Sequence, residues 1–167
     1  MNYEIVKTGS KGNFIVINDF IGIDCGVSFT TVKPYYKKLK VLFITHSHSW
    51  FDHFSCKTIK KLAELRPTLK FVVADYLVQN LYDIGVNKKN IYVLDTDKWY
   101  NFNAFKCQLT PTVHDVPNVA IHLSINGEKL LYATDTATLD CIQAKNYNYY
   151  LVERKLWWRW IRTKKTM

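Results

Sequence analysis

Apolar and polar residues alternate in short blocks along most of the chain, and two periods recur. Residues 3–7 alternate with a period of two, which predicts a β-strand. Residues 14–18 and 20–24 are rich in Ile and Val and are separated by Asn18-Asp19, so a second and third strand follow the Ser10-Lys11-Gly12-Asn13 turn. Together they predict an antiparallel N-terminal meander. Residues 30–39 can form a helix with Pro34 near its first turn, where proline is tolerated. Residues 40–45 form a compact apolar strand. Residues 56–65 switch to helical spacing, with Ile59, Leu62 and Leu65 on one side and lysines on the other. A strand at 69–74 precedes a helix at 76–84 that Gly85 closes, and another strand follows at 91–94. The second half predicts strands at 104–113, 119–125, 129–133 and 149–152. Asn126-Gly127 is a hairpin signal, because both residues tolerate positive φ. Strand-rich ends around a β-α-β-α-β centre predict an α/β protein whose sheets are covered by helices.

At 167 residues the chain fits one domain. With 48% hydrophobic and 22% charged residues, its composition excludes disordered and fibrous classes. No stretch approaches the ~18 apolar residues of a membrane span, and no signal-like leader is visible. Cys25, Cys56, Cys107 and Cys141 form no C-x-x-C pair. Free thiols in a reducing cytoplasm are the expectation. The net charge is +9, but residues 154–167 carry six basic residues and no acid, so the body keeps only +3. That excludes a strongly basic body and divides the chain into a domain at 1–153 and a basic tail at 154–167.

Candidate chemistry is concentrated in one place. Of five histidines, His46, His48 and His53 fall within eight residues, with Asp52 beside the third, directly after the Val-Leu-Phe-Ile strand. Imidazoles and carboxylates are ligands that Zn²⁺ prefers. Residues at i and i+2 leaving a strand can converge on one ion, and Asp52 and His53 could hold a second. Paired ions would activate a water and clamp an oxyanion.

Thr45-His46-Ser47-His48, followed by Asp52-His53, resembles the T-H-x-H-x-D-H signature of the metallo-β-lactamase fold. Asp24-Cys25-Gly26 resembles that family's early D-x-G. His114-Asp115 and Tyr132-Ala133-Thr134-Asp135-Thr136 resemble its later ligand-bearing strand ends. Ser10–Asn13 is similar to an S-x-G-N turn of small exonuclease-like and phage-type members. The resemblance implies an αββα sandwich and a metal-dependent hydrolase with one or two ions, zinc by default and manganese or iron as alternatives. It implies that His46, His48 and His114 hold the first ion, that Asp52 and His53 hold the second, and that Asp135 bridges. Asp52 and Asp135 are then the catalytic carboxylates, and Asp24 orients a ligand histidine. The subgroup implies phosphodiester substrates, either nucleic acid or cyclic nucleotide.

The sequence departs from the family pattern twice. Three residues, rather than one, separate His48 from Asp52. If the segment is helical, the two extra residues turn it by about 200°, so Trp50-Phe51 must bulge for Asp52 and His53 to reach the site. No histidine follows His122, which itself reads as a strand histidine of the body. A sandwich incomplete at its C-terminal end is expected, with an uncovered sheet edge that favours a homodimer. Two alternatives to the hydrolase are a catalytically impaired descendant holding at most one ion, and a nucleic-acid-binding module. The second would use Trp157, Trp158 and Trp160 among the basic residues of the tail.

Overall fold

The computed structural model describes residues 1–47 and 52–154, with backbone only for Arg154. His48, the Trp50-Phe51 insert and tail residues 155–167 lie outside the described residues. The rest forms two sheets packed face to face. The first has six strands in sequence order: β1 (Tyr3–Lys7), β2 (Phe14–Ile17), β3 (Ile21–Ile23), β4 (Val41–Phe43), β5 (Lys70–Val73) and β6 (Ile91–Val93). The β1–β2 and β2–β3 pairs are antiparallel, and β3 to β6 run parallel. The second sheet has the order β11-β10-β9-β8-β7, from β7 (Tyr100–Asn101), β8 (Lys106–Pro111), β9 (Val119–Ile125), β10 (Glu128–Thr136) and β11 (Tyr149–Arg154). All its pairs are antiparallel except β10–β11.

Strand periodicity sets the layers. Ile15, Ile17, Ile21, Ile23 and Phe43 meet Cys107, Leu109, Ile121, Leu123, Leu130 and Tyr132 in the core between the sheets. Alternate residues of the first sheet, including Phe14, Leu42, Phe71 and Val73, bury their other face under α2 (Cys56–Leu65) and α3 (Val78–Asp83). On α2, Ile59 and Leu62 are buried and Lys57, Lys60 and Lys61 face water. The outer face of the second sheet carries Ala120, Leu131 and Ala133 under Ile142, Ala144 and Tyr147. No helix covers it among the described residues, and none of the described helices is long and apolar enough to cross a membrane.

Several local expectations change. The helix expected at 30–39 is only α1 (Phe29–Val32), followed by turns in which Tyr35 N–H and Tyr36 N–H both donate to Val32 O. Pro34 has no N–H to give, and its ring crowds the preceding turn. The helix expected at 76–84 begins as a 3₁₀ turn at Asp75–Leu77 before α3, and Gly85 closes it at φ 88°. Asn126 (φ 51°) and Gly127 (φ 83°) make the hairpin between β9 and β10 as expected. β10 runs on to Thr136, three residues beyond the apolar run that announces it.

Asp52 to Ser55 are not helical. Phe54 pairs with Cys25 in a parallel bridge. Asn13 N–H donates to Asp52 O (2.7 Å), Cys25 N–H to His53 O (2.9 Å) and Ser55 N–H to Cys25 O (2.8 Å). This lacing holds Asp52 and His53 beside the ends of β2 and β3, while the Trp50-Phe51 bulge expected to let them reach the site lies outside the described residues. Glycine makes the lacing possible. A Cβ on Gly26 would lie 1.7 Å from Asp52 O and 2.6 Å from His53 N. Gly26→Ala must therefore push the Asp52-His53 segment away, and urea denaturation should show a loss of about 3 kcal/mol or more.

Candidate metal centre

The candidate residues collect where β3 and β4 end. Open sheets place ligands beyond the carboxyl ends of parallel strands, where side chains from several elements converge. Asp24 follows β3, and Thr45 and His46 follow β4. His114 follows β8, and Asp135 stands near the end of β10. Asp24 (φ 57°) and Asp135 (φ 53°) both hold left-handed backbone, a conformation that Asp tolerates better than most residues but that still costs free energy.

Asp24 is the hub. It is fully buried and accepts four hydrogen bonds. Thr45 N–H and Thr45 Oγ1 reach Oδ1 at 2.9 Å each, and His53 Nδ1 and Tyr132 Oη reach Oδ2 at 2.6 Å each. Burial alone would raise its pKa, but His53, His46 and the Tyr132 hydroxyl reverse the effect and hold the carboxyl below its ordinary value.

The two nitrogens of His53 have different partners. Nδ1 donates to Asp24, while Nε2 lies 2.7 Å from Asp135 Oδ2 and 4.0 Å from Asp52 Oδ2. Burial opposes the charged ring, yet Asp24 and Asp135 overcome it and raise the pKa to about 10. Asn13 Nδ2 is also 2.9 Å from Nε2, and its amide is oriented by Gly9 N–H donating to Oδ1 (3.1 Å). Nε2 therefore faces one acceptor and one donor, and a single protonation state cannot satisfy both.

His46 is arranged differently. Burial, then the charge on His53, lowers its pKa to about 4, so its ring is neutral at pH 7. The one hydrogen of Thr45 Oγ1 goes to Asp24, so Oγ1 accepts from His46 Nδ1 at 3.1 Å. That assigns the Nδ1–H tautomer and leaves a lone pair on Nε2. The Nε2 atom is buried, lies 3.5 Å from Asp135 Oδ2 and has no hydrogen-bond partner among the described residues. Asp52 Oδ1 is buried and unpartnered in the same sense. The His46 ring is 4.0 Å from that of His53 and 5.1 Å from that of His114, centroid to centroid.

Orphaned lone pairs on buried groups are costly unless something fills the space between them. Two ligand sets fit a cation: His46, Asp52 and His53, and His46, His114 and Asp135. Within each set the ligand atoms lie within 4.8 Å of one another. The structure thus brings together five of the six residues expected as ligands: His46, Asp52, His53, His114 and Asp135. The sixth, His48, lies outside the described residues.

Sequence reasoning assigned no role to the side chains of Asn13, Tyr132 and Tyr76. The Tyr76 hydroxyl donates to Thr45 O. Thr136 supports its own loop by donating to Thr138 O at 2.6 Å. His122 is a buried strand residue on the outer face of the second sheet, bonded through Nδ1 to the Tyr147 hydroxyl (2.9 Å), away from the cluster. All four cysteines are free thiols.

No protein-family model matches the chain. It is 33% identical over 100 residues to cytidine monophosphate-N-acetylneuraminic acid hydroxylase from Sus scrofa, a match covering 57% of this chain and 22% of the relative. To the Cricetulus griseus protein of the same name it is 31% identical over 103 residues, covering 59% and 18%. The chain therefore spans about a fifth of the curated relatives it matches. Among solved structures, the metallo-β-lactamase-fold protein YhfI from Bacillus subtilis superposes with a TM-score of 0.58 at 17% identity, over 72% of this chain and 52% of that one. The short form of human tRNase Z superposes with a TM-score of 0.57 at 14% identity, over 79% and 68%. A Cronobacter sakazakii metallo-β-lactamase with a HARLDQ motif, as its S60 mutant, gives 0.58 at 12% identity, over 86% and 64%. Two face-to-face sheets, helices on the outer side of the first, and a His/Asp cluster at the strand ends place this chain in the metallo-β-lactamase fold.

Proposed function

We propose that this chain is a metal-dependent hydrolase acting on phosphodiester bonds of nucleotides or nucleic acid. The observation that carries this reading is the convergence of five His and Asp side chains in which His46 Nε2 and Asp52 Oδ1 are buried without hydrogen-bond partners. Zn²⁺ suits this donor set best, with Mn²⁺ or Fe²⁺ as alternatives. Bound there, the ion supplies a Lewis acid and lowers the pKa of water toward neutrality. Asp24 would fix the His53 ring, Thr45 would set the His46 tautomer, and Asp135 would face both histidines. Asp52 Oδ1 is then the acceptor left for the proton of an attacking water.

The phosphodiester class draws support from the similar proteins. One is named for cutting tRNA, and the curated relatives are named for a cytidine monophosphate conjugate. The impaired-descendant alternative also has an observation in its favour. The His53–Asp135 contact at 2.7 Å could hold the site together as an ion pair with no cation.

The test is hydrolysis of bis(p-nitrophenyl) phosphate by tag-free protein with Zn²⁺ or Mn²⁺, before and after chelation. Turnover that chelation abolishes and metal restores is expected, with Asp52→Asn slower by about 100-fold or more while still folding cooperatively. Absence of metal-dependent turnover on any phosphodiester would overturn the reading in favour of the impaired descendant.

A further inference from the structure

Beside Asp52 lies a pocket of about 500 Å³ that shares only this carboxylate with the centre. Its lining includes Lys11 from the β1–β2 turn, Ser28 just before α1, Ser55 just before α2, and Lys57 and Lys61 from α2. Asp52 is the only acid among the lining residues. None of the three lysines makes an ion pair among the described residues. Lys57 and Lys61 stand four residues apart on one helix face, where like charges repel. That repulsion is relieved when an anion lies between them.

The pocket is fixed relative to the centre. Its wall is the same laced backbone that carries Asp52, and Thr58 Oγ1 donates to Val27 O at 2.6 Å, tying the first turn of α2 to the loop that follows Gly26. The backbone that carries the lysines is therefore held next to a carboxylate of the centre, and Ser10 and Ser28 line the pocket beside them. This is the chemistry that holds a phosphate group.

We propose that this pocket is a subsite for a second phosphate, so that the substrate is a nucleic-acid strand that continues past the bond being cut. The proposal rests on the phosphodiesterase reading. A cyclic nucleotide has one phosphate, which the centre would take, and it would leave Lys11 and Lys57 without an anionic partner and Lys61 with only the Phe29 ring, 4.4 Å from its Nζ. A strand places its neighbouring phosphate in the pocket, and counterion release then adds affinity.

The experiment measures fluorescence anisotropy of a labelled single-stranded oligonucleotide bound to the full chain across a salt series. Lys57→Ala/Lys61→Ala is compared with Lys88→Ala/Lys89→Ala. The second pair removes the same charge just before β6, at the opposite end of the parallel strands from the centre. All four side chains are exposed, and circular dichroism is used to check that both variants fold. The pocket pair should bind about tenfold more weakly, and its slope of log K against log salt should fall by about 0.7, the effect of one lost phosphate contact on a single strand. The control pair should keep both values. Equal losses in the two pairs would overturn the proposal in favour of a diffuse field. Unchanged binding in the pocket pair would overturn it in favour of contacts elsewhere, such as the basic residues 155–167. So would an equal loss for a single cyclic nucleotide. Because binding is read without turnover, these outcomes are independent of the hydrolysis assay that tests the reading beneath them.

Discussion

Asp24→Ala should destabilise the metal-free protein by about 3–5 kcal/mol, the range seen when one partner of a buried ion pair is removed. Four donors converge on this carboxylate: Thr45 N–H, Thr45 Oγ1, His53 Nδ1 and Tyr132 Oη. Its loss leaves buried His53 with only Asp135 at 2.7 Å and Asp52 at 4.0 Å opposite its charge, and takes away the acceptor of the Tyr132 hydroxyl. The same network fixes a pH profile. The folded pKa of His53 is raised to about 10, so its contribution is complete below its unfolded value of 6.5 and is lost as pH rises through about 10. The folded pKa of His46 is lowered to about 4. Burial therefore penalises its protonation, and stability falls as pH drops from 6.5 toward about 4. The folded pKa of Asp24 is lowered as well, so its contribution is present above the ordinary carboxylate value of 3.8 and is lost in stronger acid. The metal-free protein should be most stable near pH 6.5. Guanidinium titrations in chelator should show a maximum there, and Asp24→Ala should flatten the alkaline fall. A wild-type profile that rises steadily from pH 6.5 to 10 would contradict the His53 assignment.

Asp135→Asn should lower metal affinity by at least about 100-fold, since even partners outside the ligand shell cost 10–100-fold when removed. Asparagine suits the test because it tolerates the left-handed backbone at φ 53°, whereas alanine would add strain of its own. The substitution keeps the shape of the side chain and removes the charge 2.7 Å from His53 Nε2 and 3.5 Å from His46 Nε2. Hydrolysis, if it depends on the centre, should fall with metal content. In the wild type, a proton must leave His53 before Nε2 can act as a ligand. Metal affinity should therefore rise about tenfold per pH unit toward pH 10, and less steeply in Asp135→Asn. Chelator competition at several pH values measures both effects. Equal affinity in the two proteins would remove Asp135 from the ligand set.

Much of this arrangement is legible in the sequence because its signals are local. The Ile/Val alternation of β2 and β3 and the Val-Leu-Phe-Ile run into β4 announce the strands that carry the site. Asn126-Gly127 announces the β9–β10 hairpin. The spacing of His46, Asp52 and His53 marks the centre. His114 and Asp135 are visible only through likeness to a family, because nothing nearby distinguishes a strand-end Asp from any other. Other features are not local. The Tyr132 hydroxyl meets Asp24 from 108 positions away, and that contact exists only once the two sheets have packed. β7 has two residues and no periodicity to detect. The placement of Asp52 and His53 depends on backbone pairing with residues 13 and 25, which counting residues within the motif does not reveal. Pro34 ends a helix that side-chain spacing alone would extend.

The central claim is that the His/Asp cluster holds a metal ion, and the most direct measurement is metal per chain. Tag-free protein would be purified without added metal or chelator and counted by plasma mass spectrometry, with Asp135→Asn prepared in parallel. The account predicts one or two ions per wild-type chain, mainly zinc, and a clear loss in the variant. A wild-type protein that folds cooperatively, holds no metal and takes up none when Zn²⁺ or Mn²⁺ is supplied would contradict it.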